Sequence, residues 1–108
     1  MSDRYTTLTI ANGETDSDEL PLADHGSIMA VWIQSPAGLP ATVNIKTSKD
    51  RGGPYTIQRS NLTDITLASD RADQITVLGG LWLKIVAGSP VSGAKVFQVV
   101  VNAVRATR

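Results

Sequence analysis

The sequence predicts an all-β fold, a small antiparallel β-sandwich or jelly roll of about eight strands, in a single domain over residues 1–108 with a short polar arm at residues 1–5. Three observations carry that prediction. Short runs of alternating apolar and polar residues recur along the chain, with the period-two repeat of half-buried strands. Clusters of Gly, Pro, Asn and Asp separate these runs, and no stretch sustains the period of an amphipathic helix. The apolar content is mostly Val, Ile, Leu and Ala, with only two Trp, two Tyr and one Phe, which suits a pleated core.

The first strand is expected over residues 5–10, where Leu8 and Ile10 alternate with Thr7 and Thr9. Asn12-Gly13 then turns the chain into a polar loop, and Glu19-Leu20-Pro21-Leu22 reads as a short extended run that its proline confines to an edge or a bulge. Residues 26–34 are apolar at both parities, so this strand is expected to be central and covered on both sides, with Trp32 in the core. Ser35-Pro36 ends it, because proline has no N–H to offer a ladder.

Ala41, Val43 and Ile45 alternate with Thr42, Asn44 and Lys46 to give the next strand. That strand enters a hairpin, NIKTSKDRGGPYTIQ at residues 44–58, whose connection KDRGGP is rich in turn formers. Leu62, Ile65 and Leu67 fit either another short strand or one helical turn. Residues 74–78 and 81–87 read as two strands joined by Gly79-Gly80, a two-residue connection of the hairpin type. Residues 94–104 form the longest strand, with Val96, Gln98, Val100, Asn102 and Val104 opposite Phe97, Val99, Val101 and Ala103. There is no fixed-period repeat and no low-complexity tract.

Composition narrows the function classes. Ten basic and ten acidic residues leave no net charge, which argues against nucleic acid or an anionic membrane as partner. Without cysteine there is no disulfide framework, no thiolate metal ligand and no cysteine nucleophile. The longest apolar run, IMAVWI, is too short to span a bilayer, and the opening MSDRYTTLT has no apolar signal segment. Synthesis in a cytoplasm is therefore expected.

Few residues suggest chemistry. His25 lies in the turn Ala23-Asp24-His25-Gly26 without a nucleophile elbow nearby, which favours a solvated turn histidine over a catalytic one. Asp16 and Asp18, with Asp24, could gather oxygen ligands for calcium, but the D-x-D-x-D-G loop and its distant glutamate are missing, so a solvated loop is expected and no metal or cofactor is assigned. Asn61-Leu62-Thr63 matches the glycosylation pattern by chance, given no signal peptide. Gly52-Gly53 and Gly79-Gly80 open no helix and cradle no phosphate. Trp82 shares a strand face with Lys84 and Val86; a core or subunit-interface role is favoured over sugar stacking. No catalytic residue emerges, and an enzyme is not expected.

The order of these signals resembles a widespread set of small tailed-phage virion proteins. The resemblance rests on TLTIANGETDSDELPLADHGSIMAVWIQSPAGLPATVNIKTSKDRGGPYTIQ followed by ITVLGGLWLKIVAGSPVSGAKVFQVVV. An extended Thr-rich start and polar loop lead to an apolar strand ending near proline (residues 33–36), then a strand and hairpin with an aromatic (residues 43–55). A strand over residues 83–88 and a long last strand complete the pattern. The hairpin departs from the commoner pattern, since Lys49 and Arg51 flank Asp50 and Pro54 precedes Tyr55.

The resemblance implies a capsid decoration, or cement, protein, or a related neck, tail or fibre module. It implies a homotrimer on the head surface that binds the major capsid protein between capsomers and acts without catalysis. The candidate partner contacts are Ser2, Asp3, Arg4 and Tyr5 in the polar arm, Lys49, Asp50 and Arg51 at the hairpin tip, and Trp82. From another class, a carbohydrate-binding β-sandwich would use Trp82 or Tyr55. Exposure of Trp82 separates the two: a ring open to solvent among polar groups favours glycan, a ring buried in a seam favours assembly.

Overall fold

Period-two alternation becomes ten strands and no helix among the described residues of the computed structural model, which are 4–22, 28–40, 42–60 and 63–104. They are β1 (Arg4–Ile10), β2 (Leu20–Pro21), β3 (Ile28–Gln34), β4 (Val43–Ser48), β5 (Thr56–Ile57), β6 (Arg59–Ser60), β7 (Thr63–Asp64), β8 (Ala72–Leu78), β9 (Trp82–Ala87) and β10 (Lys95–Val104). Sheet A has the order β1-β10-β3-β8 and sheet B the order β2-β9-β4-β5, every pairing antiparallel; β6 and β7 form a separate small ribbon. The molecule is a β-sandwich, as the sequence predicts.

The apolar parity of each strand points between the sheets. Leu8, Val31, Ile33, Phe97 and Val99 from sheet A meet Val43, Ile45, Leu83 and Ile85 from sheet B, all essentially inaccessible to solvent. Each such side chain contributes about 1.5–3 kcal/mol relative to exposure. Val91 and Leu67, from the connections, join this buried cluster.

One side of the sandwich is sewn shut by residues 16–18. Ser17 bridges to Ile10 at the edge of sheet A, and its N–H donates to the Ile85 carbonyl in sheet B (2.9 Å), while its hydroxyl accepts from the Ile85 N–H (2.9 Å). The Thr9 N–H donates to Asp18 Oδ1 (2.8 Å), and the Arg4 guanidinium donates to the Pro21 carbonyl (2.6 Å). The Thr9–Ile10 end of the β1 edge is thereby occupied.

The structure corrects three expectations and decides between the alternatives of a fourth. Gly79-Gly80 is not a hairpin turn: β8 lies in sheet A and β9 in sheet B, so the glycines carry the chain across the sandwich. Val77 and Leu83 are both buried in the layer between the sheets, one contributed by each sheet. Gly80 adopts φ 88° there, a conformation that favours glycine, and its N–H donates to the Leu22 carbonyl. The central strand β3 is covered on one face only, with Met29, Val31 and Ile33 buried while Ile28, Ala30, Trp32 and Gln34 point outward; Trp32 is half-buried and outside the core. The polar arm does not extend to residue 5, since Arg4 and Tyr5 already pair with Val101 and Val100 in β10. Finally, Ile65 and Leu67 lie in extended chain, the Leu67 N–H donating to the Val43 carbonyl (2.8 Å), so the helical alternative fails; Leu62 lies outside the described residues.

Candidate interaction surfaces

The two sheets turn very different outer faces to solvent. On sheet B, outward parity selects Trp82, Lys84 and Val86 on β9 and Asn44, Lys46 and Ser48 on β4. Lys84 and Lys46 stand directly opposite each other, a repulsive arrangement. Asp16 relieves it: its carboxylate accepts from Lys84 Nζ (2.7 Å) and from the Thr15 hydroxyl (2.7 Å), and these hydrogen bonds hold its pKa below the ordinary aspartate value.

The hairpin between β4 and β5 folds onto this face and is fastened by Glu19. The Gly52 N–H and the Tyr55 hydroxyl both donate to Glu19 Oε2 at 2.7 Å, and Arg51 lies 3.8 Å from Oε1. Gly52 and Gly53 have φ of 84° and 97°, which lets the tip turn its N–H groups inward. The hydrogen bonds from Tyr55 and Gly52 lower the Glu19 pKa, while burial and then Glu19 itself raise that of Tyr55. Lys84 Nζ sits 4.4 Å from the Tyr55 ring centre, and the Arg51 guanidinium 5.6 Å from that of Trp82.

Sheet A presents the opposite character. Outward parity selects Tyr5, Thr7 and Thr9 on β1; Val96, Gln98, Val100 and Asn102 on β10; Ile28, Ala30, Trp32 and Gln34 on β3; and Ala72, Gln74, Thr76 and Leu78 on β8. None of these is charged, although the chain has ten basic and ten acidic residues. The charged residues of these strands, Arg4, Lys95 and Asp73, take the inward parity at strand ends and turn over the rim, Arg4 to Pro21 and Asp73 to Arg71 (3.1 Å). Tyr5 (75% exposed), Leu78 (65%), Ile28 (41%) and Val96 (41%) lie on this face, whereas among the described residues Ile57 is the single large exposed hydrophobic residue on sheet B. Register places Tyr5, Val100, Trp32 and Gln74 in one row across all four strands.

Alongside the β8 edge a groove of about 480 Å³ opens between β8 and residues 65–66, lined by Arg59, Asp73 and Gln74 among others. Its charges are engaged in ion pairs, Asp73 with Arg71 and Arg59 with Asp64 (3.3 Å). It assembles no nucleophile with a base. Among the described residues no group of three acids or histidines lies close enough to hold a metal ion; Asp18 accepts from Thr9 and Asp16 from Lys84.

The sequence-derived contact residues divide accordingly. Arg51 and Trp82 meet at the hairpin, and Lys49 and Asp50 are exposed at its tip. Arg4 and Tyr5 belong to β1, Arg4 turned to the rim and Tyr5 exposed on the sheet A face. Ser2, Asp3, His25, Asp24 and Asn61 lie outside the described residues. Trp82 is half-buried, with a cation at its ring, so it matches neither the open ring of a glycan platform nor one buried in a seam.

Sequence reasoning missed Glu19 as the fastening of the hairpin and missed the sheet A face altogether. The signal for that face was present: Val96, Gln98, Val100 and Asn102 alternate with core residues yet carry no charge. No family model matches the chain, and comparison with curated proteins finds no similar sequence.

Proposed function

We propose that this chain is a non-catalytic structural protein of a tailed-phage virion that decorates the head surface, associates with copies of itself and binds the major capsid protein. The observation that carries an assembly role is the charge-free outer face of sheet A with its exposed Tyr5, Ile28, Leu78 and Val96. Charge depletion together with exposed apolar and aromatic side chains is the compositional signature of an interface centre. The virion setting follows from the resemblance of the strand and turn order. On the other side of the sandwich, the hairpin tip offers Lys49, Asp50 and Arg51 as a projecting loop of mixed charge for the capsid contact.

The reading is tested by analysing purified particles of the phage that carries the gene. The chain is expected in stoichiometric amounts, at the head surface when particles are imaged, and Lys49→Glu with Arg51→Glu is expected to weaken its rebinding to stripped heads. Absence from purified particles would overturn the proposal, and a position in the neck or tail would move the role within the virion. Selective retention on a glycan array would support the carbohydrate-binding alternative instead.

A further inference from the structure

We infer that the outer face of sheet A pairs with the same face of a second copy of this chain, about a two-fold axis close to the Val100–Trp32 pair; this rests on the assembly reading above, names the partner of that surface and puts a two-fold pair in place of the homotrimer that the resemblance implies. Charge is the first argument. A two-fold interface brings like residues near like residues, so any charge close to the axis meets its own copy. A face without charge escapes that repulsion, and among the two faces only that of sheet A does so: sheet B would set Lys46 and Lys84 against their own copies.

Shape is the second argument. Ala30 and Trp32 are neighbours on the outer side of β3, and the step from methyl group to indole leaves a depression of about 150 Å³ lined by Ala30, Trp32, Gln74, Val100 and Asn102. Projection and recess lie side by side, which is the self-complementary arrangement a two-fold pairing uses: the indole of each copy enters the recess of the other. Gln74 and Asn102 at its margin each carry both donor and acceptor groups, so amides can pair with amides across the seam.

Area is the third argument. Four strands about 4.8 Å apart and seven residues long at about 3.3 Å each give a face of roughly 19 by 23 Å. That rectangle of roughly 440 Å², with side-chain relief added, places the pairing at the small end of specific interfaces, below the roughly 800 Å² per partner of a standard one.

Sedimentation velocity of the full chain over a concentration series tests the pairing, and the natural absence of cysteine allows a test of symmetry. Asn102→Cys and Val100→Cys lie near the axis and are expected to be joined into dimers by a short bis-maleimide, because facing sheets stand about 10 Å apart, just beyond the roughly 7 Å that a direct disulfide spans. Lys46→Cys, on the opposite face, is expected to stay unlinked. Ala30→Arg is expected to weaken dimerisation by roughly a hundredfold through charge repulsion and loss of the recess. Its outward position should leave the circular-dichroism spectrum unchanged.

A trimeric mass, or linking no faster at residues 100 and 102 than at residue 46, would overturn the two-fold pairing. A monomer whose Ala30→Arg form is also lost from particles would overturn self-pairing while leaving the face as a surface for another virion protein. A monomer whose Ala30→Arg form still joins particles would overturn self-pairing and the use of this face in assembly together.

Discussion

The two outer faces of one sandwich are built from the same pleat and differ in where they keep their charges. Sheet B holds Lys46, Lys84, Asp16, Glu19 and Arg51 in a network that fastens a hairpin, whereas sheet A sends its charges to the rim and leaves its broad face neutral. A network of satisfied charges is stable in water by itself. A neutral face with exposed Tyr5, Leu78, Ile28 and Val96 gains free energy only by being covered. The face with the more conspicuous chemistry is therefore the one occupied with holding the chain together, and the plain face is the one open to a partner.

The largest effect comes from removing what both faces share. Phe97 lies wholly buried beneath sheet A against sheet B, and Phe97→Ala is expected to cost about 3–5 kcal/mol, measured as the loss of unfolding free energy in urea. A cost under 1 kcal/mol would show that the two sheets do not depend on a common packed layer.

The charged face is sharpened by Tyr55→Phe, which removes the hydroxyl donor to Glu19 and should lower stability by about 1 kcal/mol or less, since the site is partly open to solvent. The same group gives a pH signature. Folding raises the Tyr55 pKa, so the folded chain holds this proton more tightly than the unfolded chain; its contribution is complete below pH 10.0 and lost as pH rises above it. The alkaline loss should shrink in Tyr55→Phe.

Glu19 and Asp16 have the opposite sign. Hydrogen bonds lower their pKa values on folding, so the unfolded chain takes up protons first. Their contribution is complete above the ordinary carboxylate values of 4.5 and 3.8 and declines as pH falls through them toward the folded values. Urea midpoints between pH 3 and pH 6 should fall with acidity, and less steeply in Glu19→Gln.

Salt separates the faces more gently. Raising ionic strength from 0.1 to 1 M shortens the screening length from about 10 to about 3 Å. It should weaken the sheet B network slightly and leave association through sheet A unchanged or stronger. Association that dissolves in salt would mean that the charged face carries it.

The smallest effect is expected at Ser35, just after β3, whose buried hydroxyl has no hydrogen-bond partner among the described residues. Ser35→Ala removes an unsatisfied polar atom and should be neutral or stabilising within about 1 kcal/mol by thermal melting. A large loss would reveal a partner for that hydroxyl.

Strand positions were legible because period two is a local property. Leu8 and Ile10, Val43 and Ile45, and Phe97, Val99 and Val101 all face the core as their alternation indicates. The hairpin at residues 44–58 was legible from its glycines, since β4 and β5 pair around it. The candidate surfaces were less so. In residues 28–34, apolar residues at both parities imply two covered faces, and within one chain only one is covered. The pattern gives the apolar character of both faces without saying which of them the fold covers.

The sequence by itself determined the fold class, the approximate place of most strands and which side chains point inward, because these follow from alternation, turn chemistry and the φ of glycine. Tertiary structure alone decided that β8 and β9 part into different sheets, that β1 pairs with β10 from the far end of the chain, that Tyr55 meets Glu19 across 36 residues and that Lys84 meets Asp16 across 68. These are pairings between distant segments, fixed by how two apolar faces cover each other. Local periodicity specifies the faces and leaves their partners open, and the outer face of sheet A extends that openness beyond the single chain.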